Sequence, residues 1–280
     1  MNIRELISEI ETTQTLNDVA LSYTEISSLN LNKIRKQAEV NHTFFMELSG
    51  IFALLRYFSR RKNPNKNTFK NNKKVTILIT SNFRFYGKIS NITTDLFLQY
   101  SEGKQSDYIV IGKLGDSLLK SKRYKQQYKK VVFKTDMPDN QELIDVVNMV
   151  KDYSQIIVVY SQFQTILKQV PVIRDISQAQ VMALESSKVK KFDFTFILEP
   201  ELDKMIQFFD TQIKNVLLSS VFLEAEVARV ASRLITMDQA QSNAKEVLKQ
   251  QQRQLIYLKR DLLNKKGLEM WITIRSSNGI

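Results

Sequence analysis

The C-terminal quarter of the chain carries one long repeat of apolar positions. Residues 201–266 contain neither glycine nor proline, the two residues that most disfavour a helix interior. From Ile213 onward, positions three and four residues apart are mostly apolar, and this 3-4 alternation is typical of a coiled-coil seam. An unbroken helix of this length would run for about 100 Å, so we expect it to leave its own domain. The seam positions are Ile213, Val216, Ser220, Leu223, Val227, Val230, Leu234, Met237, Gln241, Ala244, Leu248, Gln251, Leu255, Leu258, Leu262 and Lys265.

Residues 1–58 predict a second long helix, in which Gly50 is the only interruption. Two long seams at opposite ends of one chain pair most economically with each other, so we expect an antiparallel coiled coil. Each seam leucine buried in that pairing contributes about 1.5–3 kcal/mol. The N-terminal seam opens at Ile3, Leu6 and Ile10, continues after a shift through Leu16, Val19, Tyr23 and Ile26, and then follows Leu31, Ile34, Ala38, Asn41, Phe45, Leu48, Phe52 and Leu55.

Short β-branched runs between the two helices predict the strands of a sheet. They are Lys74–Ser81, Asp107–Gly112, Lys130–Thr135, Gln155–Phe163 and Phe192–Pro200. Helical stretches such as Asn140–Tyr153 separate them, with Asp139 as the expected N-cap, and Val170–Arg174 with its Pro171 predicts an edge strand or a turn. The fold class is therefore α/β plus a long antiparallel coiled coil, with a central Rossmann-like domain.

This pattern divides the chain into four segments. We predict an N-terminal coiled-coil helix over 1–63, a basic linker over 64–74, the α/β domain over 75–200 and a C-terminal coiled-coil helix and tail over 201–280. The connector from Arg60 to Lys74 carries seven basic residues and no acidic one. A solvated loop and a contact with an anionic surface both remain open for it.

The composition argues against several classes of catalytic and metal-binding site. The chain has no cysteine and a single histidine, His42, which argues against thiol chemistry, most histidine-based catalysis and multi-histidine metal sites. No run of 18 apolar residues could span a membrane, and the first residues do not form a signal peptide. The net charge of +12 favours anionic partners, namely nucleic acid, lipid headgroups or acidic protein surfaces.

No catalytic constellation stands out. The turn Asn82–Gly87 lacks the glycines that cradle a pyrophosphate, and Gly112–Asp116 has two glycines but neither a complete dinucleotide fingerprint nor a P-loop ending. Asp136, Asp139 and Glu142 cluster after a strand, but Asp139 and Asn140 are better explained as turn and N-cap residues of the next helix. The basic stretch Lys113–Lys130 contains two tyrosines, which fits either a nucleic-acid strand or a solvated helix face.

Several segments resemble the gamma subunit of F-type ATP synthases. Residues 233–246 are similar to the family's R-M-x-A-M-x-x-A-T-x-N-A, matching at Arg233, Met237, Ala240, Asn243 and Ala244. The start of the chain resembles the family's I-R-E…I-x-x-T-Q at Ile3–Glu5, Ile10 and Thr13–Gln14. The predicted strand Val158–Phe163 resembles the family's V-Y-N-x-F strand. Glu199–Pro200 resembles the E-P that precedes the family's last helix. The order of helix, α/β domain and longer helix is also the same.

Other segments depart from that family. Its D-R-G-L-C-G-G turn is here Asn82-Phe83-Arg84-Phe85-Tyr86-Gly87-Lys88, and near the C-terminus Arg260 matches while Asp261, Lys265 and Gly267 stand where glutamine, threonine and glutamate are expected. We expect the last helix to be interrupted at Gly267. These losses fit a specialised paralogue and ordinary sequence drift equally well.

The resemblance implies a mechanical function. The chain would be the central rotor of an F-type rotary ATPase, a non-catalytic subunit turning within a hexameric head of alpha- and beta-like subunits. It would hold no cofactor itself, since ATP and magnesium would bind the partner subunits. Further implied partners are an epsilon-like subunit and a membrane ring or another driven machine, with no nucleic acid. The location implied is peripheral, at the cytoplasmic face of the cell membrane.

Six residues are expected to contact partners: Arg84, Arg233, Met237, Asn243, Lys259 and Arg260. No catalytic, cofactor-binding or metal-binding residue is expected in this chain. Three alternatives remain open at this point. They are a shaft of a specialised F-type-like ATPase without a proton ring, a coiled-coil scaffold or basic nucleic-acid-binding protein, and an α/β enzyme with an unrecognised site.

Overall fold

The protein, a computed structural model, is described over residues 2–62, 73–177 and 201–277. Its residues group into two compact units, one made of 28–233 and the other of 1–27 with 234–280. The elements in chain order are α1 (Ile3–Lys62), β1 (Lys74–Ile79), α2 (Ile89–Ser101), β2 (Asp107–Ile111), α3 (Lys113–Ser121), β3 (Lys129–Val131), α4 (Asn140–Val150), β4 (Gln155–Phe163), β5 (Gln169–Asp175) and α5 (Leu202–Ser277).

The described strands form one five-stranded sheet in the order β3-β2-β1-β4-β5. All pairs are parallel except β4 with β5, which run antiparallel. Four of the predicted strands are confirmed, although β3 is shorter than expected. Among the described strands β5 lies at the edge, as predicted, and it tolerates Pro171 because β4 is its one described neighbour. The run Phe192–Pro200 lies outside the described residues. The Asp139 N-cap is confirmed, with a capping box completed by Glu142.

Helices cover both faces of the sheet. On one face, α4, the second half of α1 and the first part of α5 pack against β1, β2 and β4, with Phe52, Ile77 and Phe222 at the centre. On the other face, Phe97 of α2 and Leu119 of α3 pack against Leu78 and Val110. This layering explains why the strands consist of buried β-branched residues rather than alternating polar ones.

The two long helices pair antiparallel within the 28–233 unit, as predicted. Leu31 packs with Val227, Val230 and Ala231, while further along α1 the Asn41 side-chain amide donates to the backbone oxygen of Val216 at 3.4 Å. Advancing along α1 therefore means moving backward along α5. Gly50 does not interrupt α1, which continues to Lys62.

The N-terminal part of α1 uses a different face from the predicted one. Leu16 is 61% exposed and Ile26 is 51% exposed, so the predicted shift of the seam is wrong. The buried face instead continues in unbroken 3-4 spacing through small and polar residues. These are Thr13, Asn17, Ala20, Thr24 and Ser27, of which Asn17, Ala20 and Ser27 are buried.

The end of α5 also differs from the prediction. The helix passes through Gly267 without interruption and ends at Ser277. A glycine costs an exposed helix only about 1 kcal/mol, which a helix of this length tolerates. The predicted seam is buried or half-buried from Ile213 to Leu258, but every residue from 259 to 275 is exposed, including Leu262 and Lys265. No described helix is long and apolar enough to cross a membrane.

Candidate partner-contact site

The turn between β2 and α3 is the segment most similar in sequence to a nucleotide-binding loop. In the structure, Thr80 and Asn82 of the same chain occupy the N-terminus of α3. The first amides of α3 are already bonded: Lys113 N donates to Asn82 Oδ1 at 3.1 Å and Gly115 N donates to Thr80 Oγ1 at 3.0 Å. A Cβ on Gly112 or Gly115 would lie 2.6 Å from the Thr80 hydroxyl oxygen, so close packing against Thr80 accounts for both glycines. Nothing in this arrangement leaves room for a pyrophosphate at the helix N-terminus.

The turn after β1 is hydrogen-bonded to the Asp136 carboxylate. One carboxylate oxygen accepts from Asn82 N at 2.5 Å, and the other accepts from the Tyr86 hydroxyl at 2.5 Å. The Asn82 side chain also donates to the backbone oxygens of Phe133 and Thr135. Burial raises the pKa of Tyr86, and the nearby carboxylates of Glu226 and Asp136 raise it further, so Tyr86 stays a neutral donor.

This rigid turn presents aromatic side chains outward. Phe83 is 54% exposed and Phe85 is 63% exposed, with the exposed Arg84 between them. Phe85 has a φ of 72°, a left-handed conformation that costs a bulky residue about 1–2 kcal/mol. The exposed rings of Phe83 and Phe85, with the strained backbone at Phe85, make this turn a candidate contact surface.

The segment of α5 beside this turn contains a buried charge pair. Arg229 donates to the Glu226 carboxylate through Nε at 2.9 Å and through Nη2 at 2.5 Å, and its Nη2 also reaches the backbone oxygen of Asp136 at 3.2 Å. Ser232 donates to the backbone oxygen of Tyr86 at 2.8 Å, and the Arg233 guanidinium lies 4.0 Å from the centre of the Tyr86 ring. These contacts fix α5 against the 82–86 turn.

A second polar cluster ties α5 to the sheet edge. The Glu224 carboxylate accepts from the Tyr160 hydroxyl at 2.7 Å, from the Gln162 amide at 2.8 Å and from Arg174 Nη1 at 3.2 Å. Burial raises the pKa of Tyr160, and its hydrogen bond to Glu224 adds to the shift. Tyr160 and Gln162 belong to β4, and Arg174 belongs to β5, so one side chain of α5 contacts two strands.

The basic stretch 113–130 is partly neutralised within the fold. The buried Asp116 accepts from Lys130 at 2.7 Å, from the Tyr128 hydroxyl at 2.8 Å and from Lys120 at 3.1 Å. The hydrogen bond from Lys130 does most to lower the pKa of Asp116, to about 2, while burial and the bond to Asp116 raise the pKa of Tyr128 to about 12. Both tyrosines of the stretch pack inward with Phe97 and Tyr108, which favours a structural role over base stacking.

The six predicted contact residues fall in both units. Arg84 and Arg233 belong to the 28–233 unit, where Arg233 stacks on Tyr86, two residues after Arg84. Asn243, Lys259 and Arg260 are exposed in the other unit, whereas Met237 is only 8% exposed. The prediction missed Glu224 and the Glu226–Arg229 pair. The available signal was their charge within an otherwise apolar stretch of α5, in which Ala225, Val227, Ala228 and Val230 are all buried.

Comparison with known proteins gives one consistent result. The model of the ATP synthase family matches residues 2–257. The ATP synthase gamma chain of Clostridium kluyveri strain ATCC 8527 is 26% identical over 258 residues, covering 89% of this chain and 87% of that protein. The gamma chain of Staphylococcus aureus strain JH9 is 21% identical over 265 residues, covering 88% of this chain and 89% of that protein.

Solved structures show the same fold at lower identity. A chain of the Euglena gracilis mitochondrial ATP synthase, in its OSCP/F1/c-ring assembly, aligns with a TM-score of 0.56 and 14% identity, covering 90% of this chain and 94% of that one. A chain from the central stalk and c-ring of the Tetrahymena thermophila mitochondrial ATP synthase aligns with a TM-score of 0.55 and 17% identity, covering 82% and 99%. The long paired helices around an α/β sheet are therefore a shared architecture.

Proposed function

This chain belongs to the ATP synthase family, as a gamma-type central-stalk subunit of a rotary ATPase, and we propose that it works as the shaft turning within a hexameric head of alpha- and beta-like subunits. The head would bind ATP and magnesium and hydrolyse or make ATP. The shaft would transmit rotation without a cofactor of its own. An epsilon-like subunit, and a membrane ring or another driven machine, would bind the rest of the rotor at the cytoplasmic face of the membrane.

The observation that carries this proposal is the uncovered end of α5. All seventeen residues from 259 to 275 are exposed, although several are large and apolar. An apolar surface of this kind marks an interaction site. Because the exposed apolar residues lie on several sides of the helix, a partner that encloses the helix would cover them best. A sleeve formed by the head would be such a partner. The apolar residues concerned are Leu262, Leu263, Leu268, Met270, Trp271, Ile272 and Ile274.

We place the polar contacts of the shaft on the exposed charged residues. Arg84, Lys259 and Arg260 are exposed and would offer cations to acidic loops of the head, and the exposed Asn243 would offer a neutral hydrogen-bonding group. Arg233 is half-buried against the Tyr86 ring, and we propose that its remaining accessible face joins these contacts. Met237, which is 8% exposed in the other unit, would add an apolar contact there. Single exposed ion pairs contribute about 0–1 kcal/mol each, so coupling would depend on several of them acting together.

The turn at 82–86 favours a specialised shaft as the second candidate. The exposed Phe83 and Phe85 give it an aromatic surface where the gamma family has a glycine-rich turn. A shaft with altered contacts at this place could drive a machine other than a proton-translocating ring. Replacing both aromatics, as Phe83→Ser with Phe85→Gly, would then weaken one particular partner while leaving the head on the shaft.

The proposal is tested by purifying the native complex through a tag on this chain. Two kinds of nucleotide-binding subunit in threefold excess over the tagged chain would support the rotor. A complete set of proton-channel subunits, with proton pumping on ATP addition, would reject the specialised form. Recovery of the chain alone as a symmetric oligomer would support a scaffold, and recovery with nucleic acid would support a nucleic-acid-binding protein.

A further inference from the structure

Beyond the rotor function on which it rests, we propose that two polar anchors on α5 lock the α/β domain onto the shaft helix and carry torque between them. The first, the Glu224 anchor, consists of Glu224 with Tyr160, Gln162 and Arg174. The second, the Arg229 anchor, consists of Glu226, Arg229 and Ser232 with the backbone oxygens of Asp136 and Tyr86. All of these residues belong to the 28–233 unit.

The apolar core and the polar anchors resist rotation of α5 in different ways. Ile213, Leu217 and Val221 of α5 pack closely on the sheet side chains, but hydrophobic attraction itself has no preferred direction about the helix axis. Hydrogen bonds weaken steeply once donor and acceptor are misaligned, so they add resistance to small rotations. The core therefore holds α5 on the sheet, and the polar anchors add a directional constraint on its rotation.

The two anchors lie on different sides of α5. Glu224 and Arg229 are five residues apart, which separates them by about 140° around the axis and about 8 Å along it. The Glu224 anchor reaches β4 and β5, whereas the Arg229 anchor reaches the segments that follow β1 and β3. Turning α5 in either direction must stretch the hydrogen bonds of at least one anchor.

Burial makes the Arg229 anchor costly to break. Arg229 is 2% exposed and Glu226 is 8% exposed, and separating a buried pair leaves two charges without compensation. Losing one partner of such a pair is strongly destabilising, while replacing both by neutral side chains of similar size is often tolerated. The paired substitution Glu226→Gln with Arg229→Met therefore removes the charge pair of the anchor and its bond to Asp136, while the Ser232 bond to Tyr86 stays in place.

The absence of cysteine from the chain makes a site-specific torque measurement possible. We would reconstitute the complete head–shaft complex and attach a bead through one introduced cysteine. Lys125→Cys places the bead on an exposed loop of the α/β domain, and Lys204→Cys places it on an exposed position of α5 itself. Only the first bead receives its torque through the anchors, because α5 continues unbroken from residue 277 to residue 204.

We expect the triple variant Glu224→Leu, Glu226→Gln, Arg229→Met to lower the stall torque of the Lys125→Cys bead by about half or more, since directional contacts across the interface are lost. The Lys204→Cys bead should keep its torque. Glu224→Gln retains a hydrogen-bond acceptor and should restore most of the loss when it replaces Glu224→Leu. Gln207→Leu, at an exposed position of α5, is the matched control and should change neither bead.

Each outcome separates this inference from the rotor proposal. If the Lys204→Cys bead does not turn in the otherwise unaltered complex, the rotor proposal fails. If that bead turns and the Lys125→Cys bead keeps full torque in the triple variant, the anchors do not carry torque. If the triple variant fails to assemble, Glu224→Leu is measured alone and the Glu226→Gln, Arg229→Met pair is measured alone, and full torque at Lys125→Cys in both overturns the inference.

Discussion

The same two helices are built in opposite ways in the two units. In the 28–233 unit, α1 buries large apolar residues such as Phe45, Phe52 and Leu55. In the other unit, α1 buries Asn17, Ala20 and Ser27 and leaves Leu16 exposed. The first unit therefore has a large apolar core, while the second has a mixed seam, in which small and polar residues alternate with a few buried apolar ones such as Leu6 and Leu248, and it leaves many other apolar residues exposed.

Because of this difference, the two units gain free energy from apolar burial in different states of the protein. An apolar seam gains free energy in the isolated chain, at roughly 25 cal/mol for each square ångström removed from water. Exposed apolar residues gain that free energy only when a partner covers them. We therefore propose that the 28–233 unit is stabilised mainly by its own core, and that the other unit presents a surface which the head would cover.

The largest change in stability is expected when a buried apolar residue of α1 in the 28–233 unit is truncated. Phe52 is 1% exposed, so Phe52→Ala should lower the free energy of unfolding by about 3–5 kcal/mol, through lost burial and the cavity left behind. Thermal unfolding of the free chain measures this. Phe44→Ala, at an exposed position of the same helix, is the control and should change stability little. Equal losses in the two variants would contradict the assigned seam.

Replacing a polar residue of the other unit's seam by an apolar one should raise the free energy of unfolding. The side-chain oxygen of Asn17 is buried without a hydrogen-bond partner among the described residues. An asparagine at a coiled-coil seam costs stability, so Asn17→Leu should raise the unfolding free energy of the free chain by about 1 kcal/mol. Denaturant unfolding is the measurement, with Glu25→Leu at an exposed position of the same helix as control. Destabilisation by Asn17→Leu would show that the seam needs this amide.

Acid should weaken the 28–233 unit through Asp116. The pKa of this carboxyl group is about 2 in the folded chain, below its ordinary value near 3.8, so the unfolded chain takes up the proton first. The stabilisation is present above pH 4 and is lost as the pH falls from about 4 to 2. Because Lys120 and Lys130 are largely solvent-exposed, we expect a contribution of only about 1 kcal/mol. Asp116→Asn should remove this part of the pH dependence of the melting temperature, and an unchanged acid slope would contradict the assignment.

The smallest effect on the free chain is expected from the exposed cations of α5. Lys259→Ala, Arg260→Ala and Lys265→Ala together should leave the melting temperature nearly unchanged, because these side chains are exposed. In the assembled complex they should reduce the coupling of ATP hydrolysis to rotation, while Arg260→Ala alone does little. Normal coupling in the triple variant would remove these residues from the proposed contact surface.

Large-scale features were predictable because their causes are local in sequence. The absence of glycine and proline over 201–266, the β-branched runs and the Asp139 capping position each select one local structure. The buried face of α1 at residues 13–27 was not predictable from apolar spacing. Counting large apolar residues chose Leu16 and Ile26, whereas the fold buries the small residues and leaves the large ones exposed.

The polar anchors of α5 escaped prediction for a related reason. A single sequence shows Glu224 and Arg229 as charges on a helix, where a solvated position is the ordinary interpretation. Their partners, Tyr160 on β4 and the backbone of Asp136, are more than sixty residues away and come together only in the folded sheet. Contacts that depend on tertiary geometry leave no local pattern beyond a charge in an apolar stretch.

Protection of the exposed end of α5 tests the central claim most directly. Leu263→Cys introduces a reactive thiol at a position that is 65% exposed, in a chain with no other cysteine. Lys125→Cys provides the matched position on the α/β unit. The rotor account predicts that a maleimide labels both variants rapidly in the free chain, but labels only Lys125→Cys rapidly in the native complex. Equal labelling of Leu263→Cys in the free chain and in a complex that contains the head would contradict the account.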